Sequence, residues 1–171
     1  MVPASPGCWP SNTVLLVCQQ YYGAQLYFII LFTLWFNDYN ADVLKQITIP
    51  NVLLNVPSTE ETETRFFSGD WQSLEENFLR KEITEESCKF DLILTSETIY
   101  NQENQSKLVS IFKHFLKKDG EVLVAAKTFY FGVGGGLRQF EKLLRRENLK
   151  SEIVKTFDNG GVKREIIRIN L

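Results

Sequence analysis

The chain has 171 residues, 44% of them hydrophobic, and a formal net charge of -2. That length sustains one domain with a proper core, and the slightly acidic balance argues against nucleic acid as a main partner. Cys8, Cys18 and Cys88 lack C-x-x-C spacing and His114 is the single histidine, so neither a zinc site nor a disulfide framework is indicated, and a reducing intracellular compartment fits best.

No residue from Met1 to Asn37 is charged, whereas the rest of the chain is dense in Glu, Lys, Asp and Arg. The organisation read from this is an uncharged, divergent N-terminal segment over 1–37 and a core over 38–171. Leu26 to Phe36 (LYFIILFTLWF) is almost wholly apolar but falls short of the roughly 20 residues that span a bilayer as a helix. Gln19, Gln20 and Gln25 separate it from Val14–Cys18, and no basic n-region or cleavage site marks a secretory signal. Its expected place is a buried strand in register with 64–68, so a membrane partner is not expected.

Residues 41–49 (ADVLKQITI) read as a short helix stopped at Pro50, and 57–63 as an acidic, solvated loop. A short strand follows at 64–68, then the turn Gly69-Asp70-Trp71 and a helical stretch at 74–79. Phe90 to Thr95 (FDLILT) and Glu121 to Lys127 (EVLVAAK) are compact apolar runs, the pattern of strands buried on both faces. Between them, 107–117 is an amphipathic helix closed by Asp119-Gly120, with His114 on its surface. Four glycines within five residues, Gly132 and Gly134 to Gly136, follow Tyr130-Phe131 and lead into a helix at 136–146. The spacing is not that of a phosphate loop, and no Lys-Ser/Thr follows. Large aromatics beside the glycines suit a cleft wall, with a flexible turn as the plain alternative. Strands at 152–158 and 163–170 flank Asn159-Gly160-Gly161, a hairpin signal. The fold class is therefore α/β with a mixed sheet ending in an antiparallel hairpin.

In open α/β sheets ligands bind beyond the carboxyl ends of the strands. Asn37-Asp38-Tyr39-Asn40 offers a carboxylate suited to ribose hydroxyls or, equally, a helix N-cap. At Gly69-Asp70-Trp71, Asp70 suits an adenine amino group and Trp71 a ring face, although a plain turn reads as well. Ser96-Glu97-Thr98-Ile99-Tyr100 packs a carboxylate, three hydroxyl groups and an amphipathic ring into one strand end, more polarity than a connection needs.

The succession FNDYN (36–40), TIPNV (48–52), RFFSGDW (65–71), DLILTSETIY (91–100) and YFGVGGG (130–136) resembles the histidine protein methyltransferase family. The resemblance runs from about Gly23 to Leu171. It implies a Rossmann-like, seven-strand sheet of order 3-2-1-4-5-7-6 and methyl transfer from S-adenosylmethionine to a histidine ring nitrogen. It further implies a large-subunit ribosomal protein as substrate and a place in cytoplasm and nucleus. By motif, Asp38, Tyr39 and Asn40 would hold the ribose and methionine side of the cofactor. Gly69, Asp70 and Trp71 would hold adenine, and Ser96 would line the same pocket. Our reading of the substrate side places Glu97 and Tyr100 in catalysis, with Glu97 accepting the N–H of the non-reacting ring nitrogen. Tyr130, Phe131, Gly132 and Gly134 then form the substrate wall.

The chain departs from the family pattern at the first cofactor motif, Leu-Gly-Cys-Gly followed by a further Gly. The equivalent stretch is Ser5-Pro6-Gly7-Cys8-Trp9-Pro10-Ser11-Asn12, with Trp9 where a glycine is expected. The first strand is accordingly expected to be missing or remodelled, and S-adenosylmethionine to bind weakly. A catalytically impaired binding module is the alternative function.

Overall fold

The computed structural model describes residues 13–18, 33–55, 63–132, 134–158 and 160–171, with the backbone alone described over 13–18. The stretch 5–12 and the apolar residues 26–32 lie outside these, so the readings made on them are neither met nor refuted.

Seven strands form one sheet in the order β3-β2-β1-β4-β5-β7-β6. They are β1 (Thr13–Cys18), β2 (Thr33–Asp38), β3 (Glu63–Ser68), β4 (Phe90–Ser96), β5 (Leu116–Lys127), β6 (Lys150–Phe157) and β7 (Arg164–Asn170). The first five pair in parallel. β7 runs antiparallel to β5 and β6 antiparallel to β7, as the hairpin reading requires. The first strand is present, which corrects the expectation that it is missing. Thr13–Cys18 lies between β2 and β4, with Val14 beside Leu34 on one side and Leu92 on the other. Its six residues, TVLLVC, sit within an uncharged run, where an apolar stretch does not stand out.

The expected register of the 26–36 run with 64–68 holds where it is described: Thr33 to Phe36 pair with Glu63 to Phe66, and the strand continues to Asp38 opposite Ser68. Trp35 is fully buried beneath Phe67, Phe78 and Phe90, with ring centroids 5.3–5.6 Å away. On the opposite face Phe36 stacks on Phe66 at 5.1 Å, beside Leu44 and Val52.

The helix after β2 does not stop at Pro50. It is continuous as Ala41–Val43, a π-helical turn Leu44–Thr48, and Ile49–Asn55, together α1. In the wide turn the Ile49 N–H reaches back to the Leu44 carbonyl, five residues earlier. Wider hydrogen bonding just before proline leaves room for its ring and for the N–H it lacks. The helix after β3 is likewise longer than 74–79, running Trp71–Leu74, Glu75–Leu79 and Arg80–Glu82 (α2). Gln102–Phe115 is α3 and Leu137–Arg146 is α4. α3 ends before 117, because Leu116 already pairs with Phe90 and a register shift lets β5 resume at Glu121 opposite Leu92. Among the described residues no helix is long and apolar enough to cross a membrane.

Candidate functional site

The carboxyl ends of β2, β3 and β4 open into a cavity of about 290 Å³. Its wall is Asn37, Asp38 and Tyr39 at the end of β2; Gly69, Asp70 and Trp71 in the turn from β3 into α2; and Thr98, Tyr100, Asn101, Asn104 and Lys107 from the β4–α3 region.

Asp38 is 4% exposed. Its Oδ1 accepts the Asn40 N–H at 2.8 Å, and Asn40 in turn caps α1 by accepting the Asp42 N–H at 2.9 Å. Asn40 is thus the helix cap, while Asp38 faces the cavity. Burial pushes the Asp38 carboxyl above its ordinary range, and the Asn40 N–H offsets part of that. Beside it, the Asn37 amide donates to the Phe67 carbonyl at 3.2 Å, whereas its buried Oδ1 has no partner among the described residues. A buried acceptor is stabilised by a donor, which a ligand in the cavity could bring.

Asp70 caps α2, accepting N–H groups from Gln72 at 2.9 Å and Ser73 at 3.3 Å, with the Ser73 hydroxyl at 3.1 Å. Lys107 Nζ lies 3.6 Å away. Desolvation raises this carboxyl, but those hydrogen bonds and the ammonium outweigh it, so it lies below its ordinary value. Asn101, the N-cap of α3, Asn104 and Lys107 recur every three residues and share a helix face across from Asp70.

Glu97 has φ 54°, a left-handed backbone that costs a side-chain-bearing residue free energy. Its N–H donates to the Ala125 carbonyl at 2.9 Å, and next to it Thr95 and Thr98 hydroxyls bond at 2.6 Å. Its carboxylate lies 3.9 Å from Lys127 Nζ, which also stands 5.4 Å from the Tyr130 ring centre. Tyr130 meets Tyr100 edge-on at 6.3 Å, and Tyr100 reaches the cavity wall.

The glycine loop folds onto the β4–α3 connection. A Cβ on Gly135 would collide with the Tyr100 carbonyl oxygen and lie 2.7 Å from that of Ile99. Gln102 Nε2 bonds the Gly134 carbonyl across the same contact. The loop is thus packed onto that connection, with Phe131 exposed against Phe129, 5.0 Å away.

Of the residues singled out from sequence, Asp38, Tyr39, Gly69, Asp70, Trp71 and Tyr100 share the cavity wall. Asn40, Ser96 and Glu97 flank it, and Tyr130, Phe131, Gly132 and Gly134 form the neighbouring loop. Asn37 and Thr98, which lie in the strand ends singled out but were given no role, also line it, and Asn101, Asn104 and Lys107 are additions of the structure. The sequence pattern starts that helix at 107, whereas it starts at Gln102 with Asn101 as its cap, so the face shared by these three was not legible. Among the described residues no group of His, Cys, Asp and Glu could hold a metal.

The family profile described as lysine methyltransferase matches residues 41–130. The chain belongs to this methyltransferase family. Within it, the chain is similar to proteins named histidine protein methyltransferase 1 homolog. One from Dictyostelium discoideum is 39% identical over 136 residues, covering 78% of this chain and 41% of that protein. One from Bos taurus is 36% identical over 155 residues, with 78% and 41% covered. The chain thus spans about two-fifths of the length of these curated relatives. Among solved structures, YcgJ from Bacillus subtilis superimposes with a TM-score of 0.62 at 11% identity, covering 96% of this chain and 93% of that one. The plantazolicin methyltransferase BpumL in complex with SAH gives 0.55 at 13% identity, covering 93% and 76%. These likenesses show the Rossmann-like methyltransferase fold.

Proposed function

We propose that this chain is the methyl-transferring domain of a protein-histidine N-methyltransferase that uses S-adenosylmethionine. The residues present suit that cofactor on its nucleoside side. Asp38 and the open Asn37 Oδ1 offer acceptors for ribose hydroxyls, Asp70 an acceptor for an amino group, and Trp71 an apolar ring face. When bound, the cofactor supplies an activated methyl group, so the protein's task is alignment of a nucleophile.

The observation that carries the histidine reading is Glu97, held in a left-handed conformation beside the cavity. Backbone strain kept at a strand end without a glycine suits a side chain placed for a task. A free histidine, with pKa about 6.5, is mostly neutral near pH 7 and needs no strong base. It needs one of two ring nitrogens presented, and a carboxylate accepting the N–H of the other makes that choice. Tyr100 and Tyr130 pack beside the ring. The relatives' names favour histidine, against the profile's description as lysine. A large-subunit ribosomal protein as substrate, and residence in cytoplasm and nucleus, remain part of this proposal by family resemblance.

The test is incubation of the chain with labelled S-adenosylmethionine and histidine- or lysine-containing peptides, followed by amino-acid analysis. Methylhistidine is the expected product; methyl-lysine alone would refute the reading. Cofactor affinity is expected to be weak, because Trp9 replaces a glycine where backbone approach is needed. Micromolar or tighter binding by calorimetry would contradict that. An impaired binding module is the second reading, and the same substitution is what favours it.

Asp38 supports a sharper prediction. Its folded-state carboxyl is raised above the unfolded value, so its ionised form costs stability once pH exceeds the unfolded pKa, and the cost is relieved as pH falls. Asp38→Asn should therefore raise the stability of the free chain near neutral pH, with the gain fading in acid. It should also weaken cofactor binding roughly tenfold or more, by loss of charge-assisted hydrogen bonds. Urea unfolding at several pH values and a cofactor titration check both signs. A variant that loses stability and keeps affinity would make Asp38 a structural cap.

A further inference from the structure

We infer that Lys127 is a specificity-determining residue that favours a neutral imidazole over an alkylammonium at the substrate side of the site. This rests on the histidine reading given above and adds to it a residue that discriminates against lysine.

Lys127 closes β5, whose Ala125 carbonyl receives the Glu97 N–H, so the two side chains leave adjacent strand ends. Its ammonium stands 3.9 Å from Glu97 Oε2 and 5.4 Å from the Tyr130 ring centre. The Tyr130 hydroxyl accepts the Lys127 backbone N–H at 3.3 Å, which fixes the ring beneath the ammonium. Tyr130 is 8% exposed and touches Tyr100, which continues into the cavity wall.

A carboxylate and two tyrosine rings alone would make a good ammonium site, since both a negative charge and aromatic faces attract cations. Lys127 already occupies that position. A second ammonium would have to share Glu97 with it, and like charges at such separations repel. A neutral imidazole carries no such penalty and still has an N–H to donate to Glu97. Discrimination built on a repulsive element needs no extra contact with the favoured partner. Free lysine, with pKa about 10.4, is almost entirely charged at neutral pH, so the repulsion acts on its predominant form.

The experiment measures binding, so it does not depend on turnover. N-acetyl-histidine methylamide and N-acetyl-lysine methylamide are titrated by NMR into the wild-type chain, Lys127→Met and Lys127→Arg at about pH 8. Met keeps the stem length and its packing on Tyr130; Arg keeps the charge. The wild type should prefer the histidine compound. Lys127→Met should shift that ratio toward lysine by about fivefold or more, the size of one partly exposed charge contact. Lys127→Arg should leave the ratio near wild type. A wild-type preference that persists unchanged in Lys127→Met overturns the role of Lys127 and spares the histidine reading. No wild-type preference, or one for lysine, overturns both.

Discussion

Glu97→Gln should slow single-turnover histidine methylation by about a hundredfold or more while leaving cofactor affinity nearly unchanged. Glutamine has the same volume and meets the same backbone penalty at φ 54°, so the substitution isolates the carboxylate. What is lost is an acceptor for the N–H of the non-reacting ring nitrogen. Without it the imidazole presents either tautomer, and the ring cation that forms on transfer loses an opposing charge. Preorganised groups of this kind are typically worth about 2.7–4 kcal/mol. Glu97→Gly separates the contributions: it relieves the left-handed strain and stabilises the chain, yet should be as slow as Glu97→Gln or slower. The measurement is rapid-quench methylation beside a cofactor titration. An unchanged rate with a weakened titration would place Glu97 in the cofactor pocket.

The second large effect concerns the glycine loop. Gly135→Ala should destabilise the fold by about 3 kcal/mol or more, because the new methyl meets backbone atoms that cannot swing aside. Tyr100 C would be 2.6 Å away and Ile99 O 2.7 Å, both in the segment that carries Glu97 and Tyr100 toward the site. Relief requires the loop to lift from that segment, with loss of the Gln102–Gly134 hydrogen bond. Gly132→Ala is the internal control. Among the described residues nothing lies within 4 Å of a Cβ there, so its expected cost is the left-handed backbone, about 1–2 kcal/mol. Urea unfolding of the two variants decides the matter. Equal destabilisation would mean that the loop does not hold the β4–α3 connection.

These two predictions draw on different kinds of legibility. Glu97 was visible in sequence, as a carboxylate just past an apolar run where a strand must end and side chains meet solvent. The collision at Gly135 was not, since the glycines follow β5 while the backbone they fit follows β4. The sequence distance between them carries no record of that contact.

The same division runs through the fold. The runs 90–95 and 121–127 declare buried strands because burial on both faces demands unbroken apolar character, and Asn-Gly-Gly between alternating runs declares a hairpin. Helix continuity at Pro50 was misread because proline signals only the loss of a hydrogen bond. Whether a helix breaks or widens depends on what its flanking turns bury, here Leu44 and Val52 against Phe36. The identity of the central strand was likewise hidden. Thr13–Cys18 is a strand by virtue of two neighbours, one near residue 34 and one near residue 92. The amino-acid order by itself determined which segments must be buried and which residue types lie at the strand ends. Tertiary structure decided which of those ends face one another, bringing Lys107 to Asp70 and Lys127 to Glu97, because backbone pairing and helix packing act between segments whose spacing along the chain is unrelated to their distance in space.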